Sequence, residues 1–130
     1  ENLLNLINLH GLKHRVISIP KPNHELLLAL YSACSAFIFP SWSEGFGWPI
    51  IEAQICGALV ISSNVEPLPE VGSDGALYCD PSTPKEFADA FLELQDKEKS
   101  AYLHKHAIKN ASKYKDFNMI DAYLLLMNRR

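Results

Sequence analysis

The chain has 130 residues, of which 48% are hydrophobic and 21% charged, as expected of one globular domain with a real core. A formal net charge of −3 excludes a broad basic footprint for nucleic acid, and the aliphatic content excludes intrinsic disorder. No apolar run reaches the ~18 residues of a membrane span, the first ten residues lack the basic flank and cleavage site of a secretory leader, and an opening on Glu1 rather than Met is expected of a piece of a longer protein.

In chain order, Leu3, Leu4, Leu6, Ile7 and Leu9 recur at near-helical spacing over residues 1–9, with Gly11 as the stop. Val16-Ile17-Ser18-Ile19 is a β-prone run ended by Pro20. Asn23 caps a predicted helix from His24 to about Cys34, with Leu26, Leu27, Leu30 and Tyr31 inward. Ala36-Phe37-Ile38-Phe39, ended by Pro40, reads as a strand covered on both faces. Pro49 sits in the first turn of a helix that reaches Cys56 and stops at Gly57. Leu59-Val60-Ile61 and Ala76-Leu77-Tyr78-Cys79 are two further strands. Thr83-Pro84 opens a helix with Phe87, Ala90, Phe91 and Leu94 on one face, and helices follow at about 97–114 and 118–128. Short strands alternating with longer helices predict an α/β fold, a Rossmann-like parallel sheet with flanking helices.

Cys34, Cys56 and Cys79 are odd in number, far apart and in apolar surroundings, so each is expected to be a small buried hydrophobe in a reducing, cytoplasmic compartment. No cysteine–histidine cluster has zinc spacing, and no metal site is expected. Charge is uneven. Residues 97–130 carry eight Lys/Arg against three Asp/Glu, whereas residues 1–96 carry four against twelve. The basic end is either a solvated helix face or a surface for an acidic partner, a further domain or the inner face of an anionic membrane.

One stretch breaks the strand–helix rhythm, Pro40-Ser41-Trp42-Ser43-Glu44-Gly45-Phe46-Gly47-Trp48-Pro49-Ile50-Ile51-Glu52-Ala53. It runs from the C-terminal end of a strand to the N-terminus of a helix, the edge at which open α/β sheets bind ligands. Gly45 and Gly47 allow close backbone approach, and the N–H groups of Phe46, Gly47 and Trp48 stand at the positive end of the helix dipole, where an anion is stabilised. Glu44 precedes the turn and Glu52 lies about one turn into the helix; carboxylates suit sugar hydroxyls because each oxygen accepts hydrogen bonds. These features alone leave a nucleotide site, a phosphate site and a plain capped turn open.

The spacing of Glu44 and Glu52 within PSxxEGFGxPxxEA resembles the signature of retaining GT-B glycosyltransferases of the group 1 (family 4) type. The resemblance continues through Gly57, Val60-Ile61, Ser63-Asn64, Leu68-Pro69-Glu70-Val71, Ala76-Leu77 and Asp80-Pro81, and upstream through Leu30-Tyr31-Ser32-Ala33. It implies that residues 1–130 are the nucleotide-sugar-binding C-terminal domain of such an enzyme, without its first two strands and its N-terminal acceptor domain. Glu44 would hold donor-sugar hydroxyls and act as the catalytic positioning group, and Gly45, Phe46, Gly47 and Trp48 would line the sugar and diphosphate. Glu52 would hold the ribose hydroxyls, and the loop Ile19, Pro20, Lys21 would face the base. The implied reaction is transfer of a hexose from a UDP-, GDP- or ADP-sugar to a sugar or glycolipid acceptor with retention, without a cofactor.

Three departures stand out. Pro20 and Pro22 replace residues that have an N–H near the base. Trp48 stands where leucine is usual, either as a packing residue or as a wall that narrows the sugar pocket, and Ser73-Asp74-Gly75 is a looser form of the usual turn. The resemblance also implies strands missing between 16–19 and 36–39, so the chain alone is expected to be poorly stable, to self-associate, or to close its sheet by pairing 16–19 with another strand. The competing functions are a related sugar-nucleotide epimerase and a non-catalytic nucleotide-binding or interaction module.

Overall fold

A computed structural model describes residues 3–114. Helix α1 spans Leu3–Leu9, and Gly11 follows it at φ +64, the left-handed conformation that ends a helix. Helix α2 spans His24–Ala33; the Asn23 side-chain oxygen accepts from the Leu26 N–H at 2.9 Å. Strand β1 (Phe37–Phe39), helix α3 (Trp48–Ile55), strand β2 (Val60–Ser63), the short helix α4 (Leu68–Gly72), a 3-10 turn (Ser73–Gly75) and strand β3 (Ala76–Cys79) follow. Helices α5 (Pro84–Glu93) and α6 (Lys97–Ala111) and a second 3-10 turn (Ser112–Tyr114) complete the described chain.

The three strands form one parallel sheet in the order β1-β2-β3, with Phe37 opposite Val60 and Val60 opposite Ala76. Central β2 is buried along its whole length, as expected of a parallel strand covered on both faces. One core cluster joins Leu28 and Tyr31 of α2, Ile50 and Ala53 of α3, Leu68 of α4 and Val60 of β2; a second joins Ile61, Cys79, Phe87, Ala90, Leu94 and Leu103. Among the described residues, no helix is long and apolar enough to cross a membrane.

Helix α6 is placed by a buried polar clamp. The Asn110 amide donates to Gln54 Oε1 at 2.8 Å and to the Val71 carbonyl at 2.7 Å, while Gln54 Nε2 donates to the Gly72 carbonyl at 2.9 Å. Asn110 is 2% exposed and Gln54 fully buried, so each hydrogen bond satisfies groups that have no access to water. His104 lies near Gly57, Asn110 bonds Gln54, and Tyr114 meets Trp48, so α6 runs antiparallel to α3 and ends beside that helix's first turn.

Several expectations are corrected. Residues 16–19 form no strand: they pair with nothing in the sheet, Ile17 is 85% exposed, and β1 is an edge strand. A β-prone run becomes a strand only where a ladder partner takes its N–H and C=O groups, so the sheet is not closed by this segment. Leu26 and Leu30 are exposed rather than inward, because α2 turns Leu28 and Tyr31 toward α3 and β1. Phe91 is on the exposed side of α5, while Phe87, Ala90 and Leu94 are buried as expected. Cys34 is exposed, unlike Cys56 and Cys79. The second strand runs to Ser63, and the helix expected over 97–114 gives way to the 3-10 turn after Ala111. The helix expected at 118–128 lies outside the described residues.

Candidate functional site

The acidic loop leaves the C-terminal end of β1 and enters α3, as its sequence predicts. Gly47 is the turning point. It caps α3 at φ +100, and a Cβ there would lie 2.5 Å from the Leu68 side chain, so both conformation and space call for glycine. Pro49 follows in the first turn, where its missing N–H costs nothing. Gly45 faces open space, since a Cβ on it would meet nothing within 4 Å. Among the described residues, no hydrogen bond is formed to the N–H of Phe46 or Gly47, which leaves two donors at the positive end of α3.

Glu44 is half-buried, and its Oε1 accepts from the Ser41 hydroxyl at 2.8 Å. Ser41 thus orients the carboxylate from within the same loop, and no other hydrogen bond to Glu44 forms among the described residues, which leaves Oε2 for a ligand hydroxyl. Glu52 is half-buried on α3, and its Oε2 accepts from the Tyr31 hydroxyl at 3.5 Å. Burial first, and the Glu52 charge second, hold the Tyr31 phenol well above the usual tyrosine range, so it stays a donor.

Trp48 packs its ring on Phe46, with centroids 4.7 Å apart, and Tyr114 meets both rings edge-on at 6.0 and 6.3 Å. Of the two roles open to Trp48, this cluster supports packing: three rings fasten the start of α3 to the end of α6. Gly75 answers for the turn Ser73-Asp74-Gly75, where the backbone of Ala107 comes so close that a Cβ would lie 2.6 Å from its Cα.

Glu44, Gly45, Phe46, Gly47, Trp48 and Glu52 therefore share one contiguous loop–helix unit. Ile19, Pro20 and Lys21 lie in exposed coil ahead of α2, with Lys21 at φ 52, and no hydrogen bond joins them to that unit among the described residues. Tyr31 is expected inward from its sequence, but its contact with Glu52 is not, and Tyr114 is not singled out; their partners lie far along the chain and only folding brings them together. A cleft of about 600 Å³, lined by Cys34, Gly57, Leu59, His104 and Ile108, lies elsewhere, beside the starts of β1 and β2. Its lining includes no Asp or Glu.

A parallel sheet with flanking helices, and a loop that runs from the end of one strand into a helix N-terminus, define a Rossmann-like α/β domain. The chain belongs to the family of glycosyl transferases group 1, whose model matches residues 1–114. O-antigen chain mannosyltransferase B of Escherichia coli is 47% identical over 68 residues, which are 52% of this chain and 18% of that protein. D-inositol 3-phosphate glycosyltransferase of Mycolicibacterium smegmatis is 30% identical across 99% of this chain and 30% of its own length. Among solved structures, sucrose-phosphate synthase from Thermosynechococcus elongatus superposes with a TM-score of 0.80 at 27% identity, over 98% of this chain and 33% of that one. The chain thus spans 18% and 30% of the length of these two curated relatives.

Proposed function

We propose that this chain is the donor-binding part of a retaining hexosyltransferase that uses a nucleotide sugar, with the acceptor bound by a further domain. The observation that carries the reading is the placement of Glu44 and Glu52 on one loop–helix unit at the C-terminal end of β1, in a chain of this family. Glu44 positions the donor sugar through its hydroxyls, and Gly45, Phe46 and Gly47 line the sugar and diphosphate, with the Trp48 ring packed on Phe46 to hold that loop in place. Glu52 holds the ribose, and Ile19 to Lys21 face the base. The open N–H groups of Phe46 and Gly47 suit the diphosphate oxygens, whose negative charge grows as the glycosidic bond breaks. Glu44 then acts by holding the sugar in reacting geometry rather than by forming a bond to it. A relative named as an O-antigen chain mannosyltransferase and another named as a serotype-specific mannosyltransferase support a hexose donor and a role in cell-surface polysaccharide synthesis, which would take place at the inner face of the membrane.

Glu44→Gln tests the assignment. It keeps the shape of the side chain and the Ser41 contact but removes the charge that strengthens hydrogen bonds to sugar hydroxyls. The expected result is a fall in turnover of about 10- to 100-fold, on the scale of a lost charge-assisted hydrogen bond, with free nucleoside diphosphate affinity almost unchanged. A large loss of nucleotide affinity would mean that the two carboxylates have their roles reversed.

A further inference from the structure

We propose that Tyr31 is the positioning residue for Glu52, holding its carboxylate in the orientation that receives the ribose hydroxyls. The proposal rests on the reading of Glu52 above. Glu52 is half-buried on α3, with three rotatable bonds between its carboxylate and the backbone. Among the described residues the single hydrogen-bond partner of that carboxylate is the Tyr31 hydroxyl, at 3.5 Å from Oε2. Tyr31 itself has little freedom. It is 5% exposed on α2, and its ring meets Phe37 of β1 edge-on with centroids 5.0 Å apart. Phe37 is in turn stacked on Phe39 at 5.8 Å. The phenol is therefore a fixed donor, anchored in the core and aimed at one carboxylate oxygen. A carboxylate accepts at both oxygens, so engaging Oε2 leaves Oε1 for a ligand.

The direction of the phenol's titration supports this: burial and the neighbouring carboxylate keep it protonated, so the donor and acceptor roles cannot exchange. Helix α2 also follows directly from the coil that holds Ile19 to Lys21. The Tyr31–Glu52 contact thus ties the helix behind the proposed base loop to the helix that carries the proposed ribose carboxylate. At 3.5 Å the hydrogen bond is long, so its contribution is modest and is one of orientation.

Tyr31→Phe removes the hydroxyl and keeps the ring against Phe37. In the protein titrated with UDP, GDP and ADP, the variant is expected to raise the Kd of the nucleotide that the wild type binds by about 3- to 10-fold, a modest effect because the hydroxyl acts only by orienting the carboxylate. In turnover by the complete enzyme the donor KM should rise while kcat is retained, and the thermal midpoint should stay within a few degrees. Adding Tyr31→Phe to Glu52→Gln should bring no further loss, because the hydroxyl acts through that carboxylate. If Glu52→Gln weakens nucleotide binding and Tyr31→Phe does not, the positioning role is overturned and the reading of Glu52 stands. If neither variant changes affinity, or the wild type binds none of the three, Glu52 is not a nucleotide ligand and both ideas fail.

Discussion

Gly75→Ala is expected to destabilise the domain by about 3 kcal/mol or more, through overpacking together with the loss of a buried hydrogen bond. The reason is steric and local. A Cβ at this position would lie 2.6 Å from Ala107 Cα, 2.7 Å from its nitrogen and 2.7 Å from Gln54 Nε2. Two of those atoms are backbone and cannot turn aside. The third is the amide that donates to the Gly72 carbonyl, and Gln54 also accepts from Asn110. An added methyl must push α6 off the turn or break the clamp that joins α3, α4 and α6. For a domain of this size, the thermal midpoint should fall by roughly 10 °C or more. A midpoint within about 2 °C of wild type would show that α6 does not pack on this turn. Because Gln54 is two residues from Glu52 on the same helix, the clamp also fixes the helix that carries the site.

The second large effect is expected in binding. Glu52→Ala removes a half-buried carboxylate whose proposed partners are ribose hydroxyls, and it leaves the Tyr31 phenol without its acceptor. Losing charge-assisted hydrogen bonds of this kind costs about 1–3 kcal/mol, or about 5- to 150-fold in nucleoside diphosphate affinity. The fold should be destabilised only modestly, by about 1–3 kcal/mol at most, the cost of leaving the Tyr31 hydroxyl without its acceptor. Calorimetric titration of the variant checks this, and an unchanged affinity would remove Glu52 from the site.

The loop that carries both acids was legible in the sequence because its signals are local. Glycines at 45 and 47, a proline at 49 and two glutamates eight residues apart need no tertiary information to be read, and the turn at Gly47 has the left-handed φ that its glycine allows. Strand β3 was legible for the same reason, as a short apolar run between a glycine and an Asp-Pro pair. Where the reading failed, the deciding partner was remote. Val16 to Ile19 has the residues of a strand but no neighbour to bond with. Half of the expected buried face of α2 holds, with Tyr31 buried and Leu27 partly buried, but Leu26 and Leu30, four apart on the adjoining face, are exposed; contact with α3 and β1, not periodicity, selects the face. Helix α4 spans five residues, too few to show a period. Tyr31 and Glu52 are 21 residues apart on different helices, so their contact exists only in the folded chain.

The most direct test of the donor-site reading is calorimetric titration of the protein with UDP, GDP and ADP, repeated with Glu52→Ala. One of the three is expected to bind saturably with a single site, and that binding should weaken about 5- to 150-fold in the variant. No saturable binding of any of the three, or equal affinity in wild type and variant, would contradict it.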